Sequence, residues 1–267
     1  MTARPWMRLV EVAEGAAPPA DAFPEIVAHA LGGVLLRGAV PRPIAEGAAA
    51  RFEDARPNSR LTMAPVVSGG SVPSIEVLGR SLRLSNWDDY SAAIDPVGAI
   101  HRDAFGGEGI EARLLDRVAG LGAGAPRPLR GPGGEPFAAS LVTTMRAGAT
   151  LPFHFDNFCF HEPTAFARAA ALLEPDLLIN VLTLLAAPTG GGALEWAAID
   201  WDEYVARTGR VDSSAWSDAL ADGRDVLRIE LRPGDVLVFD AGRVAHRVTT
   251  VEGERSRVSH VFHLGRD

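Results

Sequence analysis

Two residues that can bind a metal ion stand two positions apart in the segment LPFHFDNF, at His154 and Asp156. In a β-strand, residues i and i+2 point to the same face, so an extended chain here would bring the imidazole and the carboxylate together. The segment is otherwise apolar, and a charged group that is buried requires a partner. A metal ion would satisfy both side chains, whereas a buried hydrogen-bonded pair without a metal is the simpler alternative.

A third ligand for the same ion is predicted at His246, directly after the segment RPGDVLVFDAGRVA. This segment is typical of two strands joined by a turn at residues 240–242, with His246 early in the second strand. A sheet can place that strand beside the one that carries His154, although the two histidines are far apart in the sequence. Two histidines and one carboxylate leave open positions on a metal, which suits non-haem Fe(II) and oxygen. Zinc accepts the same ligands, so the ligands alone do not name the metal.

The last predicted strand, in the segment ERSRVSHVF, carries side chains that can hold a carboxylate. Arg255, Arg257 and Ser259 share one face of an extended chain because side chains alternate along a strand. An arginine binds a carboxylate through two parallel hydrogen bonds, and a neighbouring hydroxyl adds another. A keto-acid co-substrate needs such a clamp beside its metal, and either arginine can supply it, depending on the hairpin register.

The three short motifs His-Phe-Asp, a distal histidine and Arg-Val-Ser together resemble those of a known enzyme family. They are similar to the Fe(II)- and 2-oxoglutarate-dependent oxygenases of the double-stranded β-helix fold, and the resemblance covers residues 138–264. The segments TGGGAL and RPGDVLVF give supporting context. The resemblance implies the following site residues: metal ligation by His154, Asp156 and His246, no further catalytic side chain, and 2-oxoglutarate held by Arg257 and Ser259. Arg257 is favoured over Arg255 because Ser259 completes the arginine-x-serine pattern.

The resemblance also implies a reaction. An enzyme of this family uses Fe(II) and O2, decarboxylates 2-oxoglutarate to succinate, and hydroxylates or otherwise oxidises a C–H bond. We expect the substrate to be a small metabolite. Halogenating relatives have glycine at the position of Asp156, which leaves room for chloride, so the retained carboxylate argues against halogenation.

Several polar residues near these motifs have open roles. Some relatives carry a co-substrate-binding tyrosine where this chain has Met145. Asn180 and Thr183 fall on opposite faces of their predicted strand, so at most one of them can replace that contact. His260 and His263 also fall on opposite faces, and we expect them to be packing or solvent residues.

The strands that must position these residues are predicted from short apolar segments separated by turn residues. This pattern favours a mainly β protein with flanking helices, built as a jelly roll (the cupin-like double-stranded β-helix). We expect one domain of 267 residues, with a mixed helix and strand support over residues 1–137 and the jelly-roll core over residues 138–267. Residues 86–107 and a helical insert at about residues 200–223 are expected to select the substrate.

Composition limits the partners and the compartment. The formal net charge is −8, and all 26 basic residues are arginine. An acidic chain is poorly suited to a phosphate backbone. The single cysteine, Cys159, excludes an internal disulfide and fits a reducing compartment. The N-terminal segment lacks a signal-peptide core, and charges interrupt the most apolar region, residues 165–187. We therefore expect a cytoplasmic protein that binds a small molecule, and neither nucleic acid nor a membrane.

Alternative interpretations stay open at this point. A second histidine-x-aspartate pair, His101 and Asp103, lies in the tripeptide HRD, where we expect a helix end or a substrate contact. A metal-dependent jelly-roll enzyme that does not use 2-oxoglutarate would keep its activity after Arg257→Ala. A non-catalytic jelly-roll binding protein would take up no stoichiometric iron and consume no oxygen. A hydroxylase acting on protein side chains would present a broad open groove.

Overall fold

The fold is known from a computed structural model that describes residues 4–55, 75–78, 99, 102–103, 110–122, 127–128, 141–157, 161, 177–211 and 217–265. The strands in these residues are β1 Leu9–Val12, β2 Gly33–Leu36, β3 Ile75–Leu78, β4 Arg127–Pro128, β5 Leu141–Met145, β6 Leu151–His154, β7 Ile179–Ala186, β8 Gly190–Gly191, β9 Leu194–Asp200, β10 Val226–Ile229, β11 Val236–Asp240, β12 Val244–Val248, β13 Val251–Glu252 and β14 Arg257–Gly265. The α-helices are α1 Ala22–Val27, α2 Arg42–Ala55, α3 Ile110–Ala119 and α4 Trp201–Thr208. Short 3₁₀ turns cover Pro5–Met7 and Asp218–Ala221.

Two sheets form the roll. The major sheet has the strand order β1-β2-β11-β7-β14-β5-β3, with β4 paired to β14, and the minor sheet has the order β10-β9-β12-β6. Only β1 and β2 run parallel among the described pairs of these two sheets. The prediction of a mainly β jelly roll with flanking helices is confirmed. The N-terminal residues contribute β1, β2 and β3 to the major sheet, so they are continuous with the core.

Strand β11 of the major sheet is apolar on both faces because both faces are covered. In β11, Val236 and Val238 pack with residues of α1, α2 and α3, whereas Leu237 and Phe239 pack between the two sheets. A strand that is buried on both sides reads as an unbroken apolar run. The face of the major sheet that looks toward the minor sheet is called the inner face below.

The alternation of faces decides which polar residues of β7 and β14 reach the interior of the roll. Leu182 and Val261 belong to the cluster between the sheets, while Val181 and Phe262 pack on the helix side. Because side chains alternate, the residues that share the inner face with Leu182 and Val261 are Asn180, Arg257, Ser259 and His263. The register partners Thr183 and His260 lie on the helix side.

The helical insert packs behind the minor sheet. Its helix α4 begins after Asp200, whose carboxylate accepts a hydrogen bond from the Glu203 backbone N–H at 2.8 Å. Trp201 and Tyr204 of α4 pack with Phe153 in one buried cluster, on the face of the minor sheet opposite to His154. The described helix therefore supports the strand that carries His154. A role of the insert in substrate selection stays a prediction.

Some predicted features fall outside the described residues. The second candidate histidine, His101, and the lone cysteine, Cys159, are among them, whereas Asp103 lies in a helical turn and is exposed. Of the helices in the described ranges, none is both long enough and apolar enough to cross a membrane.

Candidate metal centre

The three residues predicted as metal ligands come together inside the roll. His154, Asp156 and His246 each offer one ligand atom, and these atoms all lie within 4.8 Å of one another. The side chains are buried, with 2%, 1% and 6% of their surfaces exposed. His154 and His246 are direct cross-strand partners on β6 and β12, which places their rings 4.2 Å apart on one face. His154 Nε2 is 3.6 Å from Asp156 Oδ1.

Asp156 reaches the cluster by a backbone path that differs from the predicted one. Strand β6 ends at His154, and Asp156 lies with Asn157 in a 3₁₀ turn that follows. The Asp156 N–H donates to the carbonyl oxygen of Ala241 at 2.8 Å, which ties this turn to the loop between β11 and β12. The expectation that Asp156 lies on the same strand as His154 is therefore wrong. Anchoring to a neighbouring loop, rather than strand alternation, directs the carboxylate.

Both histidines present Nε2 to the cluster. Nδ1 of His154 is 2.8 Å from the carbonyl oxygen of Pro152, and Nδ1 of His246 is 2.9 Å from that of Val244. A carbonyl oxygen only accepts hydrogen bonds, so each Nδ1 carries the hydrogen in these contacts. Each neutral imidazole then has its Nε2 lone pair available to a metal.

The second oxygen of Asp156 is held from the major sheet. Asn180 Nδ2 donates to Asp156 Oδ2 at 3.0 Å, and Asn180 Oδ1 accepts from His263 Nδ1 at 2.5 Å. The expectation that His263 is a packing or solvent residue missed this contact, because Asn180 and His263 meet only through the register of β7 and β14. Of the two candidates for a co-substrate contact, Thr183 lies on the helix side and Asn180 is engaged by Asp156.

Arg257 lies on the inner face, and its Nη2 group makes no hydrogen bond to the described residues. Its Nε donates to the carbonyl oxygen of Gly192 at 3.0 Å, and its Nη1 donates to Ser259 Oγ at 2.9 Å. Nη2 is buried and has no hydrogen-bond partner among the described residues. Burial lowers the pKa of Arg257 to about 10, so the guanidinium remains charged at neutral pH. A carboxylate that accepted from Nη2 would satisfy both the charge and the unused donor.

Gly192 allows this arrangement because it has no side chain. Its φ is +66°, and a Cβ at this position would lie 3.2 Å from Arg257 Cδ and 2.8 Å from Pro188 Cγ. Only glycine combines that backbone conformation with so close an approach. The last glycine of TGGGAL therefore leaves room for the side chain of Arg257.

The alternative clamp residue, Arg255, lies elsewhere. It is exposed and precedes β14, which begins at Arg257. The register pairs Arg257 with Met145 and Ser259 with Thr143. A slip of two residues, which the Arg255 alternative requires, does not occur.

Comparison with known proteins agrees with this geometry. The chain matches the family model described as carrier-protein-independent halogenase WelO5 over residues 7–262. Among solved structures it is similar to SnoN, a non-haem α-ketoglutarate-dependent epimerase from nogalamycin biosynthesis, with 14% identity, a TM-score of 0.54 and coverage of 88% of this chain and 78% of that chain. It is also similar to HygX from Streptomyces hygroscopicus, solved with nickel, 2-oxoglutarate and hygromycin B, with 15% identity, a TM-score of 0.50 and coverage of 88% and 83%.

These findings differ in what they establish. The two structural likenesses, at such low identity, show the fold. A comparison with curated proteins found no match. The resemblance to the Fe(II)- and 2-oxoglutarate-dependent oxygenases, which was predicted from the short motifs, is confirmed at the level of the superfamily. Because the family model matches nearly the whole length, the chain belongs to the carrier-protein-independent halogenase WelO5 family.

Proposed function

We propose that this protein is an Fe(II)- and 2-oxoglutarate-dependent dioxygenase that hydroxylates, or otherwise oxidises, a C–H bond of a small metabolite. One observation carries the proposal. A buried cluster of two imidazoles and one carboxylate lies in the same roll as a buried guanidinium that has an unused N–H. A metal would satisfy the first group, and an anion would satisfy the second.

The donor set fits the proposed groups. His154 Nε2, His246 Nε2 and one oxygen of Asp156 would hold the iron, and a cluster of this composition leaves positions open for other ligands. Arg257 would hold the distant carboxylate of 2-oxoglutarate. Ser259 Oγ already accepts from Arg257, so its own hydroxyl hydrogen is available to the same carboxylate. When bound, the iron and 2-oxoglutarate supply the oxidising chemistry, with O2 as oxidant and succinate and CO2 as products.

Asp156 supports oxygenation rather than halogenation, although the family takes its description from a halogenase. The carboxylate is present and buried, and it is fixed by hydrogen bonds at its backbone N–H and at Oδ2. A halide bound to the metal would need the position that Asp156 takes. We therefore propose that the product carries no halogen.

The substrate is proposed to be a free small molecule. The family is described as independent of a carrier protein, and the structure of HygX contains hygromycin B. A second structure of SnoN contains nogalamycin RO. These ligands belong to those proteins, and they support a small organic substrate here without naming it.

The test is an anaerobic titration of the Fe(II)-loaded protein with 2-oxoglutarate, followed by the visible charge-transfer band of the complex. The wild type should develop the band. Arg257→Ala should need far more 2-oxoglutarate, and Asp156→Ala should weaken the band because the metal loses one ligand atom. The exposed Arg255→Ala is the matched control that should behave as wild type.

Each other outcome contradicts a defined part of the proposal. A wild type that binds iron but shows no band would indicate a metal-dependent jelly-roll enzyme that does not use 2-oxoglutarate. A wild type that binds no metal would indicate a non-catalytic protein in which His154 and Asp156 form an ordinary buried polar pair.

A further inference from the structure

We propose that Asn180 and His263 form a positioning pair that fixes which oxygen of Asp156 faces the metal. The inference rests on the proposed function, because it assumes a metal at the cluster. Asn180 contacts Asp156, a proposed ligand, and neither Asn180 nor His263 is proposed to bind the metal or the reacting atoms. They are therefore positioning residues and not catalytic ones.

The hydrogen bonds of the pair can run in one sense only. The carboxylate of Asp156 accepts and cannot donate when it is ionised, so Asn180 must present its NH2 group to Oδ2. The carbonyl oxygen of Asn180 then faces His263, which must donate from Nδ1. The hydrogen bonds to Asp156 and to His263 thus fix the orientation of the Asn180 amide. If His263 did not donate, the amide would lose the contact that keeps its NH2 group on Asp156.

The pair lies on two regular strands, whereas its target lies outside a strand. Asn180 and His263 are register partners on the adjacent strands β7 and β14, and they are only 4% and 3% exposed. Asp156 lies in a short turn after β6, outside the regular strand. The bond from Asn180 to Asp156 therefore crosses from the major sheet to this turn, and it transfers the order of the sheet to the carboxylate.

The polar pair would be costly at this position without a function. Its inner-face neighbours on the same strands are apolar, namely Leu182 and Val261. A buried amide and imidazole need partners that apolar residues would not need. The hydrogen bond to Asp156 explains why this amide and this imidazole are buried here. With Oδ2 engaged, Oδ1 is the oxygen on the side of His154, so the carboxylate can bind the metal through one oxygen.

The test is an anaerobic titration of the metal-free, full-length protein with Co(II). It measures the dissociation constant and the visible ligand-field spectrum, and thermal unfolding of the metal-free protein is measured in parallel. The variants are Asn180→Ala, His263→Leu and His263→Gln. The matched control is Thr183→Val, which removes a buried hydroxyl from the helix-side face of the same strand.

The pair predicts a specific order of effects. Asn180→Ala should weaken Co(II) binding roughly 10- to 100-fold and change the spectrum, as loss of an outer-sphere partner does at other metal sites. His263→Leu should cost about tenfold, whereas His263→Gln, whose amide can donate to Asn180 Oδ1, should stay within about threefold of wild type. Thr183→Val should bind Co(II) as wild type does.

Three results would overturn the inference. One is an Asn180→Ala protein with the dissociation constant and spectrum of wild type. Another is an equal loss in His263→Leu and His263→Gln, which would mean that the histidine only fills space. The third is a loss of affinity with an unchanged spectrum and a lowered unfolding temperature of the metal-free protein, which would indicate a loosened fold. A wild type that binds no Co(II) would contradict the proposed function as well. If wild type binds Co(II) and the variants bind it equally well, only the positioning role is contradicted.

Discussion

At the residue scale, the surroundings of Arg257 indicate most clearly which kind of ligand the protein binds. Arg257 is 2% exposed, and the described residues accept hydrogen bonds from Nε and Nη1 but not from Nη2. A buried cation without a carboxylate partner lowers the free energy of unfolding. Its presence therefore indicates a function that the charge serves. An anionic ligand is the simplest explanation, because it would supply both the missing charge and the missing acceptor. We therefore expect Arg257 to form an ion pair with an anionic ligand.

Replacing Arg257 by lysine should weaken 2-oxoglutarate binding even though the charge is kept. Lysine has a single ammonium group, and it cannot contact Gly192, Ser259 and a carboxylate from one planar fork. We expect the dissociation constant of 2-oxoglutarate to rise roughly 10- to 100-fold, as for the loss of one hydrogen bond to a charged group. The charge-transfer titration measures it, with Arg255→Lys as control. An Arg257→Lys protein with wild-type affinity would show that charge alone holds the ligand.

At the scale of elements, the loop between β11 and β12 links the stability of the fold to the position of Asp156. Asp240 Oδ1 accepts from the backbone N–H groups of Gly242 and Arg243, which closes the turn. The carbonyl of Ala241 in this turn accepts from Asp156. Burial raises the pKa of Asp240 to about 7, although Arg243 and the two backbone N–H groups offset part of the increase. The turn that anchors a proposed ligand is thus closed by a carboxyl group that is protonated mainly below about pH 7.

Asp240 should make the stability of the metal-free protein fall as the pH rises. Its ordinary pKa is 3.8 and its pKa in the folded protein is about 7, so between these values the native state holds more protons than the unfolded state. The free energy of unfolding therefore decreases across this window. Asp240→Asn keeps the accepting oxygen but has no proton to lose. Its stability should decline less than that of wild type between about pH 4 and pH 7, by roughly 1–3 kcal/mol.

Urea unfolding at several pH values measures this difference. Asp222→Asn, at an exposed position outside the turn, is the control and should follow the pH dependence of wild type. Parallel curves for Asp240→Asn and wild type would show that Asp240 does not change its protonation on folding.

The elements differ in how far the sequence predicts them. Strands β11 and β12 could be predicted from RPGDVLVFDAGRVA, because a buried strand is an apolar run with clear turn residues at its ends. His154, His246 and Arg257 could be predicted as site residues because each lies in a short motif that is recognisable in the sequence. The pair of Asn180 and His263 could not be found in this way, since the two residues are 83 positions apart and only the register of β7 and β14 joins them. The turn at Asp156 was missed because its anchor lies on another loop.

At the scale of the whole molecule, the proposed ligands would join the two sheets. The histidines come from β6 and β12 of the minor sheet, whereas Arg257 and Ser259 come from β14 of the major sheet. A molecule that contacts the metal and Arg257 at once would span the interior of the roll. Binding should therefore stabilise the packing of the sheets as well as the site itself.

Thermal unfolding should report this link. With Co(II) bound, 2-oxoglutarate at about 100 times its dissociation constant should raise the unfolding temperature by roughly 5–10 °C. In Arg257→Ala the increase caused by Co(II) should remain, and the increase caused by the same concentration of 2-oxoglutarate should be absent. An equal increase from 2-oxoglutarate in both proteins would show that the co-substrate does not use Arg257.

The bond between Asn180 and Asp156 also bears on how members of one family come to differ in chemistry. If a glycine replaced Asp156 during evolution, the carboxylate would leave, but the amide N–H of Asn180, fixed by His263, would still point into the vacated space. An N–H donor directed at a vacancy beside a metal is a ready contact for a halide ion. The major sheet would therefore supply a hydrogen-bond donor beside the cluster whichever residue stands at position 156.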